Sequence, residues 1–370
     1  MPGTRSADRT ARIETFAALE ALPADALALL DTQATLFGSR RWWQVVQDHA
    51  MPEGSSPCFA VCRIDGRAVA LFPLRIPAEP GSLDSLTTPY TCHYVPLLAP
   101  GLDGDTTQAA FAAFARFCRR WAVTRLDALD GDWHGMAPLA RGARRAGLRL
   151  LRFDHFGNWH EDVAGLGWAG YLARRPGALR ETVRRRLRRA EQVPDARFDV
   201  LRTPDEMAGG IAAYESVYAR SWKEPEPFPR FNAALMRATA AAGTLRLGLW
   251  RIGDTPVAVQ FWIVEHGQVT VLKLAHDEAF KAHSPGTVLT ALMLRRLLDQ
   301  EQVTAIDFGR GDDDYKQGWA TERRQRVGLL LVNPWRVRGL AQLGRHTRGR
   351  LRASWQTCTV SASTGSLSRS

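Results

Sequence analysis

The run Val303-Thr-Ala-Ile-Asp-Phe308 leads directly into Gly309-Arg-Gly-Asp-Asp-Asp-Tyr-Lys-Gln-Gly-Trp319. The first part reads as a short buried strand, and Gly309 and Gly311 end it with a turn that side chains bearing a Cβ resist. A loop that gathers acids, Tyr315, Lys316 and Trp319 at a strand end presents chemistry from a rigid support. Upstream, Val269 to Ala275 reads as another strand, followed by His276-Asp-Glu-Ala-Phe-Lys-Ala-His-Ser-Pro-Gly286 and a helical stretch from Thr287 to Gln300. Strand, loop, helix and strand in this order are the pattern of an α/β unit.

The same punctuation occurs earlier in the chain. Cys58 to Ile76 reads as two strands around Ile64-Asp65-Gly66-Arg67, and Leu245 to Val264 as two strands around Arg251-Ile252-Gly253-Asp254-Thr255. A helical stretch from Thr107 to Trp121 leads into Val123 to Asp127 and Gly131-Asp132, as the helix from Thr287 leads into Val303 to Asp307 and Gly311-Asp312. The order repeats at an offset of roughly 180 to 190 residues, which points to a duplicated unit. A boundary near Pro176-Gly177 follows an extended segment at 158–163. Gly177 to Glu191 then reads as a helix, with a narrow stripe of Leu179, Val183 and Leu187 and arginines at 180, 184, 185, 186, 188 and 189. Further helices are expected from Pro204 to about Trp222 and after Pro229, with strands near 197–202 and 327–332. The expected divisions are an N-terminal extension (1–34), a first unit (35–175), a second unit (176–333) and a basic C-terminal tail (334–370).

With 370 residues, 45% of them hydrophobic and 24% charged, the chain buries a large core. No apolar run reaches the length of a membrane span, and the first residues lack the apolar centre of a secretory signal, so the cytoplasm is the expected location. Five scattered cysteines (Cys58, Cys62, Cys92, Cys118 and Cys358) without paired Cys-x-x-Cys knuckles read as reduced core thiols, and no metal is expected. The formal charge of +11 is concentrated at the end, where Asn333 to Ser370 holds seven arginines and no acid. Such a segment is either a solvated extension or a contact for nucleic acid or an acidic membrane surface.

The helix start near Gly286 and Thr287 offers unpaired N–H groups and the positive end of a helix dipole, a place for a phosphate, with Ser284 as the expected cap. There is no Walker lysine and no Gly-x-Gly-x-x-Gly pattern, which argues against nucleoside triphosphates and dinucleotides.

Strand, Ser-Pro-Gly, helix, strand, then Asp-Phe-Gly-x-Gly with Tyr-Lys and Trp downstream resembles the CelD-type acetyltransferases of the GNAT superfamily, relatives of the tandem-domain Fem peptidyltransferases. Leu36-Phe37-Gly38-Ser39 with Trp42 and Trp43, the arginine helix, and the Ser-Trp-Lys at 221–223 are similar to further parts of that family. The resemblance implies an α/β (α+β) tandem GNAT-like acyl-CoA N-acyltransferase fold with two mixed sheets flanked by helices. It implies acyl-CoA, acetyl-CoA in the simplest case, as co-substrate, held in the second unit by Leu274, Ala275, Ser284, Gly286 and Thr287. Acyl transfer needs a polarised thioester, a deprotonated amine and an acid for the leaving thiolate. His276 and Asp277 are the candidate bases and Tyr315 the candidate acid. Trp222, Lys223, Gln260, Lys273, Asp307, Arg310, Asp312, Lys316 and Trp319 are the candidate acceptor-binding residues, with the tryptophans, Trp262 among them, as cleft walls. The expected reaction acylates an amine, on a small molecule or a sugar or polysaccharide precursor. Two rival expectations are a Fem-like peptidyltransferase using aminoacyl-tRNA and a catalytically inactive accessory protein of polysaccharide biosynthesis.

Overall fold

The structure, a computed structural model, describes residues 11–32 and 35–345. Cys358 and the arginines at 348, 350, 352 and 369 lie outside the described residues. The first half runs β1 (Arg12–Phe16), α1 (Ala24–Asp31), α2 (Arg40–His49), β2 (Ser56–Ile64), β3 (Arg67–Ile76), β4 (Ser82–Ser85), β5 (Leu97–Leu98), α3 (Gly104–Cys118), β6 (Val123–Asp130), α4 (Met136–Arg145), β7 (Arg149–Asp162) and α5 (Trp168–Ala173). The second runs α6 (Gly177–Glu191), β8 (Ala196–Leu201), α7 (Met207–Ala219), α8 (Phe231–Ala241), β9 (Leu245–Ile252), β10 (Thr255–Glu265), β11 (Gln268–His276), α9 (Pro285–Arg296), β12 (Ala305–Asp307), α10 (Lys316–Trp319) and β13 (Glu322–Val332). Residues 12–16 and 24–31, expected in an extension, are an edge strand on β2 and a helix packed on β3.

Both expected hairpins form, and the repeated order is real in space. In each half a helix crosses between two strands that pair in parallel: α3 between β4 and β6, α9 between β11 and β12. The two mixed sheets expected are, however, one sheet of 13 strands. The last strand, β13, lies between β6 and β7 and pairs antiparallel with both, while β7 in turn pairs with β12. The run Val327 to Val332 explains this placement, because an apolar segment without alternation needs cover on both faces and a partner on both edges. Gly328 stands opposite Phe153 in the register, and a Cβ there would meet the Phe153 ring at 2.1 Å, so the glycine makes room for the aromatic ring.

A large apolar core fills the first half and extends under α7, α8 and β9, and a second core lies among β10, β11, α5, α6 and α9. All four described cysteines are buried thiols. Burial pushes Cys58 up to about 11 and Cys62, Cys92 and Cys118 to about 12. Beneath α10, the buried Arg175 donates to Glu161 and, at 2.8 Å, to the carbonyl of Trp319. Glu161 also accepts from the N–H and hydroxyl of Thr321, each at 2.7 Å. This network closes the end of the 308–319 loop onto β7.

Candidate active site

β11 and β12 pair only from Gln268–Thr270 against Ala305–Asp307 and then part. On its other side β11 stays bonded to β10 as far as His276, with Leu272 at a bulge. From Val271 onward the β12-facing edge of β11 therefore has backbone groups without a sheet partner, which open into a cavity of about 360 Å³. Val271 to Leu274 form one wall, and Phe308, Arg310, Gly311, Asp313, Tyr315 and Lys316 the other. Pro89, Tyr90 and Cys92 from the first half close one side, and Lys223 another. Gly309 sets the distance between the walls. Its φ is +70°, and a Cβ on it would lie 2.3 Å from the Val271 carbonyl oxygen, so neither its backbone nor its space admits a side chain.

Of the predicted site residues, Lys223, Lys273, Leu274, Arg310, Tyr315 and Lys316 meet in this cavity. Tyr315 is 42% exposed, yet desolvation of its surroundings and the nearby Asp313 hold its pKa above the usual phenol value. Lys316 is neither a surface lysine nor a free one. It is buried, donates to the carbonyls of Arg310 (2.8 Å) and Gly311 (3.2 Å), and pairs with Asp313 at 3.0 Å. Lys273 pairs with Glu226 at 2.7 Å and lies over the Tyr90 ring at 4.7 Å.

A second group gathers at the start of α9. Ser284 is left-handed (φ 52°, ψ 52°) and its side chain does not cap the helix, correcting the expectation; Pro285 occupies the first helical position instead. The N–H groups of Gly286 and Thr287 find no acceptor among the described residues, and no acid lies in the first turn. His276 sits beneath them, its Nδ1 3.4 Å from where a Gly286 Cβ would stand and its ring 4.5 Å from Trp222. Its Nδ1 is buried without a partner among the described residues, Nε2 lies 3.2 Å from Glu278, and burial lowers its pKa.

Other expected site residues already have partners in the fold. Asp277 is buried, accepting from Arg220 at 2.6 Å and from the Ala279 N–H at 2.9 Å, so it caps a turn. Gln260 is buried under α9, donating to the Gly286 carbonyl (3.2 Å) and the Thr290 hydroxyl (2.7 Å), and is not among the residues lining this cleft. Trp262 and Trp319 are core residues, and only Trp222 of the three tryptophans is exposed. Asp307 accepts from Asn158 (2.7 Å), the Gly309 N–H (2.7 Å) and Arg324 (2.5 Å). Asp312 accepts from Trp159 (2.7 Å) and Arg323 (2.6 Å). These hydrogen bonds tie the loop to β7 and β13.

Sequence reasoning missed Tyr90 and Cys92. Their segment, Thr87-Thr-Pro-Tyr-Thr-Cys-His-Tyr94, is conspicuous for aromatic and polar density but has no periodicity, and only folding brings it against β11. No group of three or more His, Cys, Asp or Glu able to hold a metal ion occurs among the described residues.

Comparison with known proteins agrees with this geometry. Residues 177–317 match the family described as acetyltransferase (GNAT) domain, a span that includes α6, β11, α9, β12 and the loop to Gln317. The chain is similar to the crystal structure of FemX (11% identity, TM-score 0.55, covering 89% of this chain and 99% of that one). It is also similar to L-PGS from Bacillus licheniformis (12% identity, TM-score 0.53, 88% and 95%). A conserved protein of unknown function from Bacteroides thetaiotaomicron aligns at 14% identity and TM-score 0.52, over 83% and 92%. At these identities the likeness establishes the fold alone, a mixed α/β architecture, and the GNAT-like domain within it rests on the family match at residues 177–317. No curated protein sequence matches the chain.

Proposed function

We infer that this protein is a GNAT-type N-acyltransferase that moves an acyl group, most simply acetyl, from acyl-CoA to an amine. The observation that carries the reading is the contrast between the two halves at equivalent places. Behind the parted strands β11 and β12, α9 begins without a side-chain cap and without an acid, next to Gly286. Behind β4 and β6, α3 begins with Asp103 accepting from the Thr106 N–H at 2.6 Å and Asp105 in its first turn, and Tyr94 donates its N–H to the Ala128 carbonyl on the parting strand. A carboxylate at a helix start competes with a phosphate for the same N–H groups and repels it. The second half is thus the one suited to the pyrophosphate of a coenzyme, and the first half serves as its support.

In this reading the N–H groups of Gly286 and Thr287 hold the pyrophosphate, and the free edge of β11 from Val271 to Leu274 orients the thioester and polarises its carbonyl. His276, kept neutral by burial, draws a proton from the amine through water, and Tyr315, kept protonated, supplies one to the thiolate. The acceptor is a small molecule or a sugar or polysaccharide precursor, in keeping with the CelD-type resemblance. One observation favours the aminoacyl-tRNA alternative. Arg184, Arg185, Arg188 and Arg189 are exposed without ion-pair partners among the described residues, and Arg186 anchors α6 to the Ala282 carbonyl beside the α9 start, so a polyanion on α6 reaches the same site. The exposed Trp335 (83%), Val337 (84%) and Leu340 (57%) beside the basic C-terminal segment support contact with an acidic membrane surface.

The test is thermal shift with acetyl-CoA and longer acyl-CoAs. Stabilisation of the wild type, and its loss in Gly286→Glu with the fold retained, is the expected result. If no acyl-CoA stabilises the wild type and charged tRNA does, with steep salt dependence, the aminoacyl reading replaces this one.

A further inference from the structure

The cavity beside β11 is strongly basic, and its charges are unevenly matched. Four cationic side chains line it, Lys223, Lys273, Arg310 and Lys316, against one lining carboxylate, Asp313. Asp313 is taken by Lys316 and Glu226 by Lys273, which leaves Lys223 and Arg310. Neither has a carboxylate within ion-pair distance among the described residues. Arg310 reaches the Nε2 of His155 at 3.3 Å and lies over the Phe156 ring at 4.4 Å, and Lys223 lies 5.3 Å from the centre of the Trp222 ring. Both are half-buried, and desolvation lowers the pKa of each. Asp313 and Glu226 act on Lys223 and Asp127 on Arg310 only from a distance, and two partly desolvated cations without a direct ion pair on one cavity favour an anion that shares it.

They also come from separate parts of the chain, Lys223 after α7 and Arg310 after β12, so their convergence is a product of the fold. The coenzyme's phosphates have their own place at the start of α9, whose residues are not among those lining this cavity. We propose that Lys223 and Arg310 bind an anionic group, a carboxylate or a phosphate, of the acceptor, whose class is therefore amino acids or phosphorylated amino sugars and not neutral amines or polyamines. The inference rests on the acyltransferase reading above. The same positive field lowers the pKa of the acceptor's amine and favours the neutral, nucleophilic form, which fits a site where Asp277, Asp307 and Asp312 are all otherwise engaged.

Matched acceptors that differ only in the anion test the proposal in the full chain with acetyl-CoA: glucosamine against glucosamine 6-phosphate, and an α-amino acid against its amide, followed by thiol release. The anionic member of at least one pair is expected to have the higher kcat/KM. Lys223→Met or Arg310→Met should raise its KM by about ten-fold or more, the scale of one charge-assisted hydrogen bond, with the KM for acetyl-CoA unchanged. Preference for the neutral member, or a raised KM for acetyl-CoA in its place, overturns the proposal. If acetyl-CoA binds but none of these acceptors turns over, inorganic phosphate and citrate serve as probes. Their thermal stabilisation should be smaller in Lys223→Gln/Arg310→Gln than in wild type, and an equal shift overturns the proposal. If acetyl-CoA itself fails to bind, the acyltransferase reading fails, and the same anion comparison still decides whether Lys223 and Arg310 form an anion site.

Discussion

Replacing Gly309 by alanine adds one methyl group where the two walls of the cleft are closest. The Cβ would stand 2.3 Å from the Val271 carbonyl oxygen, about 1 Å short of ordinary van der Waals contact, and the opposing atom belongs to backbone that no rotamer change can move. The residue would also have to keep φ at +70°, which costs a residue with a Cβ roughly 1–2 kcal/mol. Overpacking against a fixed strand adds a further ~1–3 kcal/mol. Together these put the expected destabilisation at about 2–5 kcal/mol, relieved in part by moving the loop away from β11. That movement has the scale of the clash, and a displacement of about 1 Å in a site that positions reacting groups lowers turnover on the order of a hundred-fold. Urea unfolding and acyl-transfer kinetics measure the two effects. Gly286→Ala is the control, because φ there is not left-handed and the nearest atom to its Cβ, His276 Nδ1, is at 3.4 Å; its stability should change little. If Gly309→Ala were as stable as Gly286→Ala and as active as wild type, the reasoning that Gly309 sets the cleft width would be refuted.

Glu161→Gln leaves Arg175 buried without its carboxylate and is expected to cost roughly 3–5 kcal/mol, with the double variant Glu161→Gln/Arg175→Met recovering part of the loss in chemical denaturation. His93, 3.0 Å from Asp130, has its pKa lowered chiefly by burial and next favoured in its charged form by Asp130. Because the folded state binds that proton less readily than the unfolded state, its contribution is present above the unfolded histidine pKa of about 6.5 and is lost as pH falls through the lower folded value, so denaturation at pH 7.5 and 5.5 should show a smaller pH-dependent loss in His93→Gln than in wild type. Tyr315→Phe should lower kcat while leaving affinity for acetyl-CoA unchanged, read by steady-state kinetics and isothermal titration; an unaltered kcat would remove the tyrosine from proton transfer.

Elements with strong local signals were legible in the sequence. The start of α6 follows from Pro176-Gly177 and its course from the stripe of Leu179, Val183 and Leu187 at a spacing of four, and both hairpins follow from their Asp-Gly and Gly-Asp turns between apolar strands. The loop at 309–311 was marked as special by two glycines, both of which have positive φ. Less visible were short elements whose stability comes from neighbours: the four-residue β4 forms because β3 and β6 flank it.

By itself, then, the sequence determined the local repertoire: the repeated strand and helix order, the glycine turn, a helix start near Gly286 and the excess of arginine. Tertiary structure decided which of the polar residues are free. Sequence spacing lets Asp277, Asp307, Asp312 and Lys316 be read as reactive or substrate-binding, but their partners, Arg220, Arg324, Arg323 and the carbonyls of the turn, are supplied by the folded chain. Charge neutralisation acts over a few ångströms, a distance between side chains that sequence separation does not encode. The same reason hides β13's place between β6 and β7, and the unmatched pair Lys223 and Arg310, until the sheet is assembled.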